Sequence, residues 1–319
     1  MGAEPVKAIV EAAEVFQPKR RLKTLSLDSF LRLDIPPREL VLAPIIPTQG
    51  LAMLYAARGV GKTHVGLGIA YAVATGGEFL RWKAPLPRRV LIIDGEMPAA
   101  TMQERLAAIV TATSLEPPAP DYLRIISPDL QDDPIPDLST VEGQNAVDEH
   151  LDGIELVILD NLSTLCRSGR ENESESWVGV QEWLLALRRR GLSVLIVHHA
   201  GKGGAQRGTS KREDILDTVL NLRRPDDYSA TEGARFEVHI EKGRGITGDD
   251  AKPFEAKLMV VNGAAVWSTR DLEDVKLHRA ADLFRDGTSV RDVADELGIS
   301  KSAAGRLRDK CKAGGLIDD

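Results

Sequence analysis

The sequence lacks the marks of a secreted, membrane-spanning or fibrous protein. Only two cysteines, Cys166 and Cys311, occur in 319 residues. That is too few for a disulfide framework and points to a reducing compartment, with each cysteine read as a small core residue. Aromatic side chains make up 4% of the chain, so a core must be built from Val, Ile, Leu and Ala, and stacking platforms for bases are scarce. No apolar run approaches the roughly 18 residues of a membrane span, and no apolar signal segment opens the chain. The expectation is a cytoplasmic protein with no membrane partner. A formal charge of −7 excludes a uniformly basic coat for nucleic acid while leaving room for a local basic patch. With 43% hydrophobic residues the chain is not disordered. It can bury one sizeable core and a small second domain.

What is present is an alternation. Residues 1–23 show no period and end in the basic cluster Lys19-Arg20-Arg21-Lys23, which predicts a flexible tail. Thr24–Pro47 reads as a lead-in, with Pro36-Pro37 breaking any helix. From Leu51 onward short β-rich runs (Leu51–Tyr55, Val90–Asp94, Leu123–Ile126, Ile154–Asp160, Leu192–His198) alternate with helical stretches (Lys62–Thr75, Ala99–Thr113, Thr140–Leu151, Ser174–Arg190). This pattern predicts an α/β fold with a mostly parallel sheet and helices on both faces. After His199 the runs Asp217–Leu222, Phe236–Glu241, Phe254–Val261 and Ala264–Ser268 follow with no helix between them. They are expected to extend the sheet as antiparallel strands. The main domain then covers residues 24–270, and a separate helical domain covers 275–319.

Ala56-Ala57-Arg58-Gly59-Val60-Gly61-Lys62-Thr63-His64 follows an apolar strand and opens a helix, the setting of a phosphate-binding P-loop. Small residues let backbone N–H groups wrap a phosphate, and the helix N-terminus adds partial positive charge. The nucleotide-binding candidates are therefore Ala57, Arg58, Gly59, Val60, Gly61, Lys62, Thr63 and His64. Lys62 would reach the β- and γ-phosphates of ATP, and the Thr63 hydroxyl would sit on Mg²⁺. Ala56 stands where the pattern asks for Gly, which is acceptable if its φ is negative.

The run Ile154–Asp160 ends in a carboxylate that a parallel sheet brings to the edge where open α/β sheets bind ligands. Asp160 is the second metal candidate, holding Mg²⁺ through water. Asn161 follows it, so no water-activating carboxylate stands there. Glu96, after the strand Val90–Asp94, reaches the same edge and is the candidate to orient or deprotonate the attacking water. The alternative for Glu96 is a solvated loop carboxylate.

Taken together these residues resemble the RecA-like ATPases, specifically the branch with the DnaB-type replicative helicases and the plasmid RepA-type hexameric helicases. Gly95-Glu96-Met97-Pro98 with Gln103 and Arg105 is similar to the DnaB-type stretch that carries the catalytic glutamate. Leu42–Leu54 resembles the RepA-type entry to the P-loop, and the likeness runs from about Thr24 to Ser268. It implies a RecA fold, ATP bound between neighbouring subunits of a ring, a hexamer, and single-stranded DNA of a plasmid, phage or mobile element as partner. By position it assigns the γ-phosphate sensor to His199 in preference to His198; paired histidines ending a buried strand are otherwise plain caps. Lys242-Gly243-Arg244 after Phe236–Glu241 is similar to the arginine-finger element, a cation supplied to the next subunit's ATP. Arg207, in the glycine-rich basic loop Gly201–Arg212, competes for that role, and the same loop suits contact with nucleic acid. Exposed strand-end charges are the plain alternative for Lys242 and Arg244.

Leu277–Phe284 predicts one helix; Ser289–Leu297, the turn Gly298-Ile299-Ser300 and Lys301–Cys311 read as helix, turn, helix. Thr288 or Ser289 is the candidate N-cap of the first of these helices and Ser300 of the second, and Val290, Val293, Ala294, Leu297, Ile299, Ala303, Leu307 and Cys311 recur at core spacing. The last helix carries Lys301, Arg306, Arg308, Lys310 and Lys312 against Asp309, which fits a recognition helix on duplex DNA. Gly314-Gly315-Leu316-Ile317 would start a truncated wing. A small protein-interaction bundle is the other reading. The whole chain is thus expected to be an ATP-hydrolysing helicase or translocase. The alternative is a DNA-binding replication or transcription regulator that uses ATP binding as an assembly switch.

Overall fold

A computed structural model describes residues 22–167, 174–200 and 214–317. Most of the expected N-terminal tail and the basic loop with Arg207 lie outside the described residues. Residues up to Pro37 form a unit of their own. In it Leu27–Leu31 makes a short helix that the lead-in pattern did not suggest, capped by the Ser26 hydroxyl, which accepts the Ser29 N–H at 3.1 Å.

The second unit, Arg38–Asp319, is built on a nine-stranded sheet. In chain order its strands are β1 (Leu51–Ala56), β2 (Val90–Asp94), β3 (Leu123–Ile126), β4 (Leu156–Asp160), β5 (Ser193–His199), β6 (Thr218–Arg223), β7 (Arg235–Gly243), β8 (Phe254–Val261) and β9 (Ala264–Asp271). Across the sheet they run β9-β8-β7-β6-β1-β5-β4-β2-β3. The helices are α1 (Lys62–Thr75), α2 (Ala99–Thr111), α3 (Val141–Asp148), α4 (Leu162–Leu165), α5 (Ser174–Arg189), α6 (Leu272–Arg285), α7 (Val290–Glu296) and α8 (Lys301–Ala313).

Every residue of β1, β2 and β4 is buried, as expected of parallel strands covered on both faces. Side chains alternate between two cores. Ala52, Leu54 and Ala56 join α1, whose whole length from Val65 to Ala74 is buried, together with Phe236 and Trp82. Leu51, Met53 and Tyr55 face the other way, toward Trp177, Val180, Leu184 and Leu187, a helical repeat along α5. Each fully buried Val, Leu or Ile in these layers contributes about 1.5–3 kcal/mol.

Strands β1 to β6 run parallel to one another, and β7, β8 and β9 follow in antiparallel pairs, β7 against β6. The parallel direction of β6 differs from the expectation. The chain leaves β5 at one edge of the sheet and re-enters at the opposite edge, where the Asp217 N–H donates to Leu51 O at 2.7 Å. With no helical period in that stretch, the sequence resembles a meander. His199 is a strand residue rather than the one after it, since β5 extends through both histidines.

Strand β9 ends at Asp271 and α6 begins at Leu272, so residues 271–274, between the two expected domains, are strand end and first helical turn. Helices α6, α7 and α8 enclose a third core of Ala280, Ala281, Val293, Ala294, Ala304 and Cys311. Ser289, of the two candidates Thr288 and Ser289, caps α7, and Ser300 caps α8. No wing strand follows α8 among the described residues. Leu316 and Ile317 instead pack back on the three-helix core. Neither cysteine forms a disulfide among the described residues; Cys311 is buried and Cys166 half-buried. No helix among the described residues is long and apolar enough to cross a membrane.

Candidate nucleotide site

The register of the sheet gathers the chemistry at one edge. Asp94 pairs with Asp160, Asp160 with Val197, and Ala56 with His199, so β1, β2, β4 and β5 all present their C-terminal ends together. There a cleft of about 550 Å³ opens, lined by Arg58, Gly59, Gly61, Lys62, Thr63, His64, Asp94, Glu96, Arg105, Asp160, Asn161, His199 and Tyr228, among others.

The loop from Ala57 to Gly61 turns β1 into α1 with Gly59 at φ 73° and Gly61 at φ 125°, conformations that L side chains rarely adopt. A Cβ on Gly61 would also come 3.1 Å from the Phe236 ring. Ala56 ends β1 and is not among the positive-φ residues, which explains why Ala serves at that position. Lys62 is 6% exposed. Its ammonium donates to Ala56 O at 3.1 Å and Ala57 O at 3.0 Å. Burial holds its pKa below the usual lysine value, against the pull of Asp160 and Glu96. Ala57 and Val60 belong to the loop but not to the cleft wall, and Val60 is in the core beneath it.

Two buried carboxylates stand behind the lysine. Asp160 is pushed up to about 7 by desolvation, partly countered by a hydrogen bond from the Thr63 hydroxyl and by Lys62. Burial also raises Asp94, although its Oδ1 accepts the N–H groups of Glu96 at 2.9 Å and Met97 at 2.6 Å. Carboxylates this short of countercharge fit a cation between them and a polyanionic ligand. Among the described residues no group of three or more His, Cys, Asp or Glu surrounds one point. A metal held by Thr63 and Asp160 would therefore complete its shell with water and ligand oxygens, the habit of Mg²⁺.

The Glu96 carboxylate is 61% exposed. Its Oε2 accepts the Asn161 side-chain amide at 2.6 Å and lies 3.8 Å from His199 Nε2. Burial, with Lys62 nearby, lowers the His199 pKa, so the imidazole is neutral at pH 7. Burial and Arg105 lower His64 to about 4. The far wall belongs to the loop after β6. Arg224 donates to Gly59 O at 3.2 Å and lies over the Tyr228 ring, 4.5 Å from its centroid. Tyr228 in turn donates to Gly233 O at 2.9 Å.

This geometry coincides with a sequence match. Residues 17–205, more than half of the chain, match the AAA domain. The chain belongs to the AAA domain family. No curated protein matches it. An AAA domain on this sheet, with its P-loop between β1 and α1, makes the protein a P-loop ATPase of the RecA-like type.

Of the candidate residues, the AAA domain brings Arg58, Gly59, Gly61, Lys62, Thr63, His64, Glu96, Asp160 and His199 into one cleft. Lys242 and Arg244 are not there. Gly243 pairs with Thr218, at the start of β6, whereas the P-loop follows Ala56, which pairs with Leu222 near its end. Four strand steps, roughly 13 Å, separate the two edges. Arg244 donates its backbone N–H to Asp217 O at 2.9 Å and its Nη2 to Asp214 O at 3.0 Å. Sequence reasoning missed Arg224 and Tyr228, which sit in an aperiodic loop. It also passed over Asn161 as merely an absent carboxylate.

Proposed function

We propose that this ATPase acts on DNA as a hexameric ring of identical subunits, in the manner of the RepA- and DnaB-type helicases that its motifs resemble. Lys62 binds the β- and γ-phosphates of ATP, Thr63 and Asp160 hold the Mg²⁺ that neutralises them, and Glu96 takes the proton of the attacking water. His199, neutral and beside Glu96, senses the γ-phosphate. Arg244, with Lys242, serves the ATP of the neighbouring subunit, Arg207 being the competing finger. Single-stranded DNA threads the ring, while α7 and α8 form a helix-turn-helix that contacts duplex DNA.

The observation that carries this reading is the roughly 13 Å of sheet between Arg244 and the chain's own P-loop. An arginine so far from the phosphates of its own subunit can stabilise a transition state only across an interface. Support for DNA contact comes from α8, where Lys301, Arg306, Arg308, Lys310 and Lys312 are all exposed.

The test is light scattering after size exclusion, with and without ATP and single-stranded DNA, together with hydrolysis and strand-displacement assays on the same samples. ATP-dependent rings that hydrolyse faster with single-stranded DNA and displace a paired strand are expected. Assembly on one duplex sequence with no strand displacement would overturn the motor and leave an ATP-dependent switch.

A further inference from the structure

The residue after Asp160 has no role in the ATPase as described so far, yet it is one of the most buried polar side chains of the cleft, at 2% exposed. Asn161 is the N-cap of α4: its Oδ1 accepts the N–H groups of Ser163 at 3.0 Å and Thr164 at 3.3 Å. Only an oxygen can accept those donors, so the other end of the amide must be the NH₂ group. That group meets Glu96 Oε2 at 2.6 Å.

The turn that carries Glu96 is fixed from the same side. Gly95 donates to Asp160 O at 2.8 Å, and Asp94 Oδ1 closes the turn by accepting from Glu96 and Met97. The backbone of Glu96 is therefore set, but its exposed side chain has one hydrogen bond to stop it rotating into solvent. His199 at 3.8 Å is beyond hydrogen-bond reach. Glu96 Oε1 has no hydrogen bond among the described residues and is the atom left to receive a water.

We propose that Asn161 is a positioning residue for Glu96: the amide, oriented by the helix it caps, binds one carboxylate oxygen and turns the other toward the attacking water. The proposal rests on Glu96 being the base. It predicts that the cap and the positioning hydrogen bond can be separated by substitution. Asp and Ser are N-caps comparable to Asn, but neither offers the amide donor, and the carboxylate introduced by Asn161→Asp would also repel Glu96.

The experiment compares Asn161→Ser, Asn161→Asp, Glu96→Gln and the double variant Asn161→Ser/Glu96→Gln in the full chain. It measures melting temperature, fluorescent ATP-analogue binding, kcat and KM. Asn161→Ser and Asn161→Asp should melt close to wild type and bind nucleotide within about threefold of it. Their kcat should fall about tenfold or more at nearly constant KM. The double variant should be no slower than Glu96→Gln alone, because Asn161 acts through that carboxylate.

Wild-type kcat in a well-folded Asn161→Ser protein overturns the proposal, as does a loss that multiplies with that of Glu96→Gln. Early melting of both Asn161 variants would show that the amide only supports the fold, and that also overturns it. Full turnover in Glu96→Gln would instead remove the base itself. Inactive Glu96→Gln with normal Asn161 variants leaves the base in place and defeats the positioning role alone.

Discussion

Gly95 stands so close to Thr164 that a Cβ on it would lie 2.5 Å from the threonine Oγ1 and 2.9 Å from Leu165 Cδ2. The turn bearing Glu96 and the helix capped by Asn161 thus touch through a position that only glycine fills. Gly95→Ala must push the turn outward, with overpacking that costs about 1–3 kcal/mol. Hydrolysis should drop further than stability does, since a displacement near 1 Å at the reacting group can cost about 100-fold. Thr164→Ala removes the nearer of the two clashing groups and should restore part of the turnover. Steady-state kinetics and thermal melting of the single and double variants check this.

A second expectation concerns pH. Arg38 reaches both oxygens of the buried Asp217 at 3.1 Å, and the Leu51 N–H adds a bond at 3.0 Å. Burial alone would raise the carboxyl; the Arg38 and Leu51 hydrogen bonds outweigh it and hold Asp217 below the usual carboxylate range. Its contribution to stability is therefore present above about pH 4, the unfolded value, and is lost as pH falls through the lower folded value. Asp217→Asn should destabilise the protein at pH 7 by about 1–3 kcal/mol, because Arg38 loses its partner. The gap from wild type should narrow on acidification. Urea unfolding of both proteins at pH 7 and pH 3.5 measures it, and a constant gap would contradict the sign.

Much of this was legible in the sequence because it is periodic or local. Val90–Asp94 and Lys62–Thr75 are found at their expected bounds, since buried parallel strands and apolar helices write unbroken signals, and the antiparallel Phe254–Val261 is found at its bounds too. The P-loop, Glu96, Asp160 and His199 could be placed because each ends such a strand or follows it within two residues. What was not legible depends on distant parts of the chain. The parallel direction of β6 is decided by its burial beside β1, and nothing in its own residues distinguishes it from a hairpin strand. Arg224 and Tyr228 approach Gly59 across more than 160 residues of sequence. Asn161 shows its partner only when β2 and β4 lie side by side.

The proposed contact of α8 with duplex DNA would carry a salt signature. Lys301 and Arg308 are both exposed and, seven residues apart, share one face of the helix. If each neutralises a phosphate, the slope of log K against log salt should become shallower by roughly 2 in Lys301→Gln/Arg308→Gln. Fluorescence anisotropy with labelled duplex at several salt concentrations reads the slope. An unchanged slope would remove α8 from the DNA contact.

The trans role proposed for Arg244 can be tested without knowing the geometry of the proposed ring. Arg244→Ala keeps an intact P-loop, and Lys62→Ala keeps an intact Lys242-Gly243-Arg244 element on the far edge of the sheet. Each alone should hydrolyse ATP poorly: the first lacks the cation for its neighbour, the second the buried lysine whose ammonium is held by the Ala56 and Ala57 carbonyls. In a head-to-tail ring, every site joins the P-loop of one subunit to the far edge of the next. An equimolar mixture therefore assembles about a quarter of its interfaces from two intact halves, and turnover should recover toward that fraction. A cis role predicts none, because no single chain in the mixture carries both residues. Light scattering must first show that the two variants co-assemble. With co-assembly demonstrated and no recovery, Arg244 would lose the role, and the mixture of Arg207→Ala with Lys62→Ala would be expected to recover instead.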